Sequence, residues 1–278
     1  MVPPPLFFCH TAGQQTVSKR RAAAGLRAGA EVGNWALTCE GDATMYSRET
    51  RVTTSCTDET GTQTLVSMVT MMQDCSMLWQ EEQPVLSAWL ERNHAKMLVG
   101  SREVEVRRRP AYGEFLQVRT WVYKMQSMMG YRNTCIFDAS GEAVAACWCT
   151  GVFFGCDEGR ALKLPDEVLA SMRVEPAFPM GYGKRKIKLP DVEPEELEPV
   201  VARRSDIDFN GHVNNAQYVR MAYEQLPHDF YPTHLRITHD GQAKAGDVIR
   251  LVRYRSDETY DFVLSDAAGE PYALVEFS

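Results

Sequence analysis

The densest run of reactive side chains in this 278-residue chain is the stretch 203–215, Arg-Arg-Ser-Asp-Ile-Asp-Phe-Asn-Gly-His-Val-Asn-Asn. Asp208, Asn210 and His212 alternate within it, and alternation in an extended segment places three side chains on one side. A carboxylate can act as nucleophile or as base for a water, an imidazole can hold or donate a proton, and an amide can orient either without titrating. The run leads into a helix that carries Ala216, Val219, Tyr223 and Leu226 on one face and closes at Pro227. Helix N-termini leave amide hydrogens unpaired and partly positive, so the backbone from Gly211 to Val213 is expected to supply donors for an oxyanion. The same residue types cap helices and make turns, so Asp208, Asn210, Asn214 and Asn215 also have a purely conformational reading.

An internal repeat separates the two readings. Asp58-Glu-Thr-Gly61 pairs with Asp208-Phe-Asn-Gly211, Gly113-Glu114 with Gly246-Asp247, and Asp138-Ala-Ser-Gly-Glu142 with Asp266-Ala-Ala-Gly-Glu270. Leu65, Met68, Val69, Met72, Ser76 and Trp79 follow the spacing of a helix with one buried face over 61–79, directly after the first Asp-Gly turn. Alternating runs at 103–108, 115–123 and 134–154, the last broken by a glycine turn at 138–142, predict antiparallel strands. Runs at 235–238, 248–254, 260–264 and 272–277 predict the same order again. The first copy holds Asp58, Thr60 and Thr62 where the second holds Asp208, Asn210 and His212, so the turn is kept and the amide and imidazole are not. A turn is needed by both copies, whereas chemistry is needed by one.

A long helix covering one face of an antiparallel sheet, twice over, is an α+β architecture in which two sheets can pair edge to edge. Pro165, Pro176, Pro179, Pro190, Pro194 and Pro199 interrupt the stretch between the copies, which reads as a connector. Residues 1–44 contain a Pro3-Pro4-Pro5 run, and their first thirty residues are basic and free of Asp and Glu, so they read as a leader outside the core or as an upstream start.

No apolar stretch is long enough to span a membrane, and the formal charge of -7 argues against a surface built for nucleic acid. All eight cysteines precede residue 157 and none forms a CxxC pair, which predicts free buried thiols in a reducing, cytoplasmic setting.

The Asp-x-Asn-Gly-His-Val-Asn-Asn string, leading to Tyr218 and Glu224, with Arg107-Arg-Arg-Pro110, Gly113-Glu114 and Thr120-Trp121 upstream, resembles the acyl-(acyl carrier protein) thioesterases from about Met45 to Ser278. The resemblance implies a tandem double hotdog, each unit a long helix packed against a curved antiparallel sheet. Its expected parts are a leader at 1–44, an N-terminal acyl-binding hotdog at 45–165, a linker at 166–202 and a C-terminal catalytic hotdog at 203–278. It implies hydrolysis of fatty acyl thioesters with no cofactor, by Asp208, Asn210 and His212. Where the family usually has an acid, this chain has Gln242, which can position a water but cannot take its proton; the cysteine that plant members place next to it is Ala243 here.

Met68, Met72 and Trp121 are candidates to line the acyl chamber. An acidic carrier protein would dock on Lys184, Arg185, Lys186 and Lys188, on Arg203 and Arg204, or on 107–109. Acyl-CoA hydrolysis, acyl binding without turnover and hotdog dehydration are the competing readings, and pairing into a homodimer is left open.

Overall fold

The computed structural model describes residues 45–278; the expectation for residues 1–44 lies outside them. The first copy comprises β1 (Tyr46–Arg51), α1 (Leu65–Glu81), α2 (Pro84–Arg92), β2 (Ala95–Val106), β3 (Phe115–Gln126), β4 (Met129–Asp138), β5 (Ala143–Gly155) and the short β6 (Arg160–Ala161). After α3 (Asp166–Ser171), the second copy runs β7 (Glu195–Val201), α4 (Asn215–Tyr223), β8 (His234–His239), β9 (Val248–Arg255), β10 (Tyr260–Ser265) and β11 (Pro271–Phe277). The main strands form one antiparallel sheet in the order β1-β3-β4-β5-β2-β8-β11-β10-β9-β7, with β6 paired to β5. Read from either end, that order takes equivalent strands in the same sequence. The seam between copies is the ladder of β2 with β8, from Ser101 opposite Thr238 to Glu105 opposite His234.

Local chemistry sets the helix boundaries. Thr64 caps α1 by accepting from the Ser67 amide at 3.1 Å, and Asn214 caps α4 by accepting from Ala216 at 3.0 Å. The apolar faces of α1 and α4 lie side by side over the concave sheet. Met68, Val69 and Met72 share one core with Tyr218, Val219, Val104, Leu235 and Phe277. A second cluster, under α2 and α3, is built on Trp79, Trp89, Phe153 and Leu164.

The connector expected at 166–202 differs in two ways. Its last part is β7, which pairs with β9 as β1 pairs with β3 and so belongs to the second copy. The proline and acidic content that hid it suits an edge strand, and Pro199 sits in the register shift between Leu197 and Val200. Residues 176–187 cross the outer face of the sheet. There Phe178 packs on Trp121 and Phe137, Gly183 donates to Glu103, and the Lys184 and Lys186 carbonyls accept from Arg236. Cys147 and Cys149 are free and buried on the helix-facing side, as alternation predicts, with Trp148 between them donating to Glu103 on the other side.

Candidate active site

The Asp208 to His212 segment is a closed loop rather than the extended run that alternation suggested. Ile207 and Val213 bridge across its base, the Asp208 amide donates to the His212 carbonyl at 3.0 Å, and the Gly211 amide donates to the Asp208 carbonyl at 3.0 Å. Gly211 sits at φ +81°, a left-handed conformation that glycine adopts without steric cost. Asp208 Oδ1 accepts from the Asn210 amide at 2.8 Å, which makes part of the conformational reading correct: this carboxylate does stabilise its own turn. Its other oxygen has no hydrogen-bond partner among the described residues.

The loop is pinned from three sides. Buried Asp206 accepts from the Arg203 amide and from Arg220 Nη2, while its carbonyl accepts from the Asn214 amide. Asn214 Oδ1 also accepts from Gln73 Nε2 of α1 at 3.0 Å, so the first copy reaches across to hold the second copy's helix start. The Val213 amide donates to the Ala243 carbonyl, and the Ala243 amide donates to the Tyr218 hydroxyl, both at 2.8 Å. That pair fixes Gln242 beside the loop with an exposed side chain that makes no hydrogen bond among the described residues.

Two of the three amides expected to face an oxyanion are occupied, Gly211 by Asp208 and Val213 by Ala243. The His212 amide has no partner among the described residues and is the donor left over. The His212 ring is partly buried, and its Nδ1 has no partner among the described residues. Burial, reinforced by the charges of Lys96 and Lys244, pushes its pKa below 6.5 despite the opposing pull of Asp208, so the ring is neutral at neutral pH. Asn210 is exposed and its side chain makes no hydrogen bond among the described residues.

The first copy repeats this loop with another outcome. Thr57 and Gln63 bridge, the Asp58 amide donates to the Thr62 carbonyl, and the Gln63 amide donates to the Pro110 carbonyl as Val213 does to Ala243. Arg109 therefore occupies the place of Gln242. It ion-pairs with Asp58, and its Nε donates to the Gln63 carbonyl at 2.9 Å. Burial raises the Asp58 pKa, but the Thr60 hydroxyl and the Arg109 guanidinium outweigh it and hold the carboxyl below its ordinary range. One turn is locked by an arginine. The other faces a neutral amide.

The remaining sequence candidates scatter. Met68 and Met72 fill the shared core, where no exposed surface is left to them. Trp121 is corrected: it points to the outer face of the sheet, against Phe178, and its Nε1 donates to the Pro176 carbonyl at 2.9 Å. Strand alternation fixed that it opposes Val122, and the strap decided which side is outside. A cavity of about 400 Å³ lies between the flank of α1 and strands β1 and β3, lined by Arg48, Cys56, Met71, Asp74 and Val118 among others.

Of the basic clusters, 107–109 is neutralised: Arg107 pairs with Glu105, Arg108 with Glu114 and Asp138, and Arg109 with Asp58. Lys184, Arg185, Lys186 and Lys188 are exposed on the strap, where Arg185 donates to the Met129 sulfur. Arg203 and Arg204 are exposed at the loop's entry. Lys96 and Lys244, missed in the sequence because each is solitary there, also act on His212. No group of three or more His, Cys, Asp and Glu side chains among the described residues is arranged to hold a metal ion.

The acyl-ACP thioesterase N-terminal domain family matches residues 43–172, and the corresponding C-terminal domain family matches 190–270. The chain belongs to the acyl-ACP thioesterase family. An oleoyl-acyl carrier protein thioesterase from Arabidopsis thaliana is 27% identical over 156 residues, 52% of this chain and 43% of that protein. A second Arabidopsis oleoyl-acyl carrier protein thioesterase is 26% identical over 195 residues, 65% of this chain and 52% of that protein. The chain thus spans about half the length of the curated relatives it matches. The fold is that of an acyl-ACP thioesterase from Bacteroides thetaiotaomicron, with TM-score 0.76 and 16% identity over 84% of this chain and 97% of the other. The 12:0-ACP thioesterase from Umbellularia californica gives TM-score 0.76 and 17% identity over 85% and 97%. The sheet is accordingly two hotdogs joined at β2 and β8.

Proposed function

We propose that the protein hydrolyses fatty acyl thioesters carried on acyl carrier protein, with the reaction at the Asp208 loop and the acyl chain held in the N-terminal hotdog. The observation that carries the reading is the difference between two loops of one geometry: Asp58 is tied to Arg109, whereas Asp208 keeps an oxygen free beside Gln242 and a neutral His212. Gln242 and Asn210 orient a water, and Asp208 takes its proton as the oxygen attacks the thioester carbonyl. The His212 amide donates to the resulting oxyanion, and the neutral imidazole hydrogen-bonds the departing thiol group. Collapse breaks the carbon–sulfur bond, releasing a fatty acid and a thiol that receives the proton from Asp208. Arg203, Arg204, Lys96 and Lys244 surround the loop with positive charge, which suits an acidic carrier.

Release of free thiol from acyl-carrier and acyl-CoA substrates, measured side by side for the wild type and Asp208→Asn, tests this. The carrier thioester is expected to turn over faster, and the variant to bind without cleaving. Full activity in Asp208→Asn removes Asp208 from the chemistry. Faster CoA turnover reassigns the carrier.

A further inference from the structure

Two arginines lie inside the protein with no counter-charge among the described residues. Arg132 on β4 and Arg102 on β2 are 5% and 4% exposed. Each stands directly across from Cys149 of the intervening strand β5. Adjacent strands are about 4.8 Å apart, so the two backbones flank Cys149 at roughly 10 Å from one another. Both side chains share the face that carries Val104, Cys147 and Ile237, the face covered by the helices. Arg132 stacks on Trp79 of α1, with its guanidinium carbon 3.6 Å from the ring centroid, and its Nη1 donates to the Thr120 hydroxyl at 3.0 Å. Arg102 makes no hydrogen bond among the described residues, and its Nε is buried and orphaned. Neither forms an ion pair there. Burial, partly offset by the nearby cysteines, draws Arg132 down to about 10, and at neutral pH it stays charged. Burial holds the neighbouring Cys75 and Cys147 thiols up, so neither supplies a negative charge.

A buried cation without a partner is costly, and interiors tolerate one where an anion or a polar ligand completes it. The surroundings of Arg132 are polar enough for that role, since Ser76, Thr120 and Thr134 form a hydroxyl cluster beside it. Packing also reaches from Arg102 toward the candidate active site. His239 of β8, whose ring nitrogens have no partner among the described residues, lies 6.0 Å from the ring of Tyr218, whose hydroxyl accepts from the Ala243 amide. Burial first, and then the charge of Arg102, push His239 down to about 3. Among the described residues, buried polar atoms of His212, Gln73, His239 and Arg102 lack hydrogen-bond partners.

We propose that Arg102 and Arg132 form a carboxylate-binding site over Cys149, within the helix–sheet layer and leading from the Asp208 loop. Two sources supply that group: the distal carboxylate of an acyl chain that ends in one, or the carboxylate of a released fatty acid. The second half of the inference, what the site means for turnover, rests on the thioesterase reading; the site itself does not.

Calorimetric titration of the whole chain with octanoate and with octan-1-ol tests the site without any turnover. Octanoate is expected to bind at least tenfold tighter, and Arg102→Gln and Arg132→Gln are each expected to erase that difference while octan-1-ol affinity holds. Equal affinities in the wild type overturn the proposal with no variant needed, as does a preference that survives both substitutions. Hydrolysis of suberyl and octanoyl thioesters separates the sources. A tenfold kcat/KM preference for the suberyl chain assigns the distal carboxylate, and octanoate binding without that preference assigns the released acid. Absence of all hydrolysis, with octanoate still bound through the arginines, sinks the thioesterase reading and leaves the site standing.

Discussion

Replacing Gln242 with arginine would rebuild the locked arrangement of the first copy inside the second. Both positions follow from the same backbone bond, Gln63 to Pro110 in one loop and Val213 to Ala243 in the other, so an arginine at 242 starts from the place where Arg109 reaches Asp58. A hydrogen bond to a charged group contributes about 1.5–3 kcal/mol. Freeing Asp208 from it before each reaction would lower kcat/KM by roughly 10- to 150-fold, at 1.4 kcal/mol per factor of ten. Gln242 is exposed, whereas the Arg109 and Asp58 side chains are only 22% and 15% exposed, so screening places the expected loss near tenfold. The assay is thiol release by Gln242→Arg at saturating and limiting substrate, with Gln242→Met as the uncharged control. A Gln242→Arg enzyme within twofold of wild type, or a Gln242→Met enzyme equally slow, would refute the argument that a free carboxylate distinguishes the two loops.

Two further outcomes follow from other parts of the fold. Glu103 is buried at the seam and accepts from Trp148 Nε1, the Gly183 amide and His234 Nε2, so Glu103→Leu, which leaves these donors unpaired, should cost about 3 kcal/mol in urea unfolding, and a loss under 1 kcal/mol would contradict its role in tying strap to sheet. His239 is held at about 3, below its unfolded value of 6.5. The unfolded chain therefore binds the proton first, so the stability due to neutral His239 is complete above about pH 6.5 and falls with acidification, by up to about 1.4 kcal/mol per pH unit. The stability difference between wild type and His239→Phe, followed from pH 7 to 5, should shift against the wild type.

Much of this was readable in the chain because the repeated elements carry strong local signals. Both Asp-x-x-Gly turns need a left-handed glycine, both helices start at a side chain able to cap, and seven of the strands alternate cleanly enough to be placed to within a few residues. β7 was hidden because an edge strand has only one neighbour to satisfy, and Glu195, Glu196, Glu198 and Pro199 are tolerated there for that reason. Trp121 went to the wrong face because alternation separates two sides without saying which is covered, and the strap that covers it comes from 55 residues further on. In the site, residue types named Asp208 and His212, yet the use of the Gly211 and Val213 amides depended on contacts from Asp208 and Ala243 that spacing does not carry. Arg102 and Arg132 gave no signal at all. An arginine in an alternating strand reads as solvent-facing until the partner strands are known.

The ladder between β2 and β8 joins two halves of one polypeptide. Hotdog pairs made from separate subunits fall apart on dilution, but here each half is held at a fixed effective concentration by its own tether, so the Asp208 loop stays braced by Gln73 in a single isolated molecule. Covalent continuity also removes the twofold constraint that identical subunits impose. A residue can change on one side without changing on the other, so Arg109 and Gln242 can occupy matching places, one bound to its aspartate and the other without such a bond among the described residues.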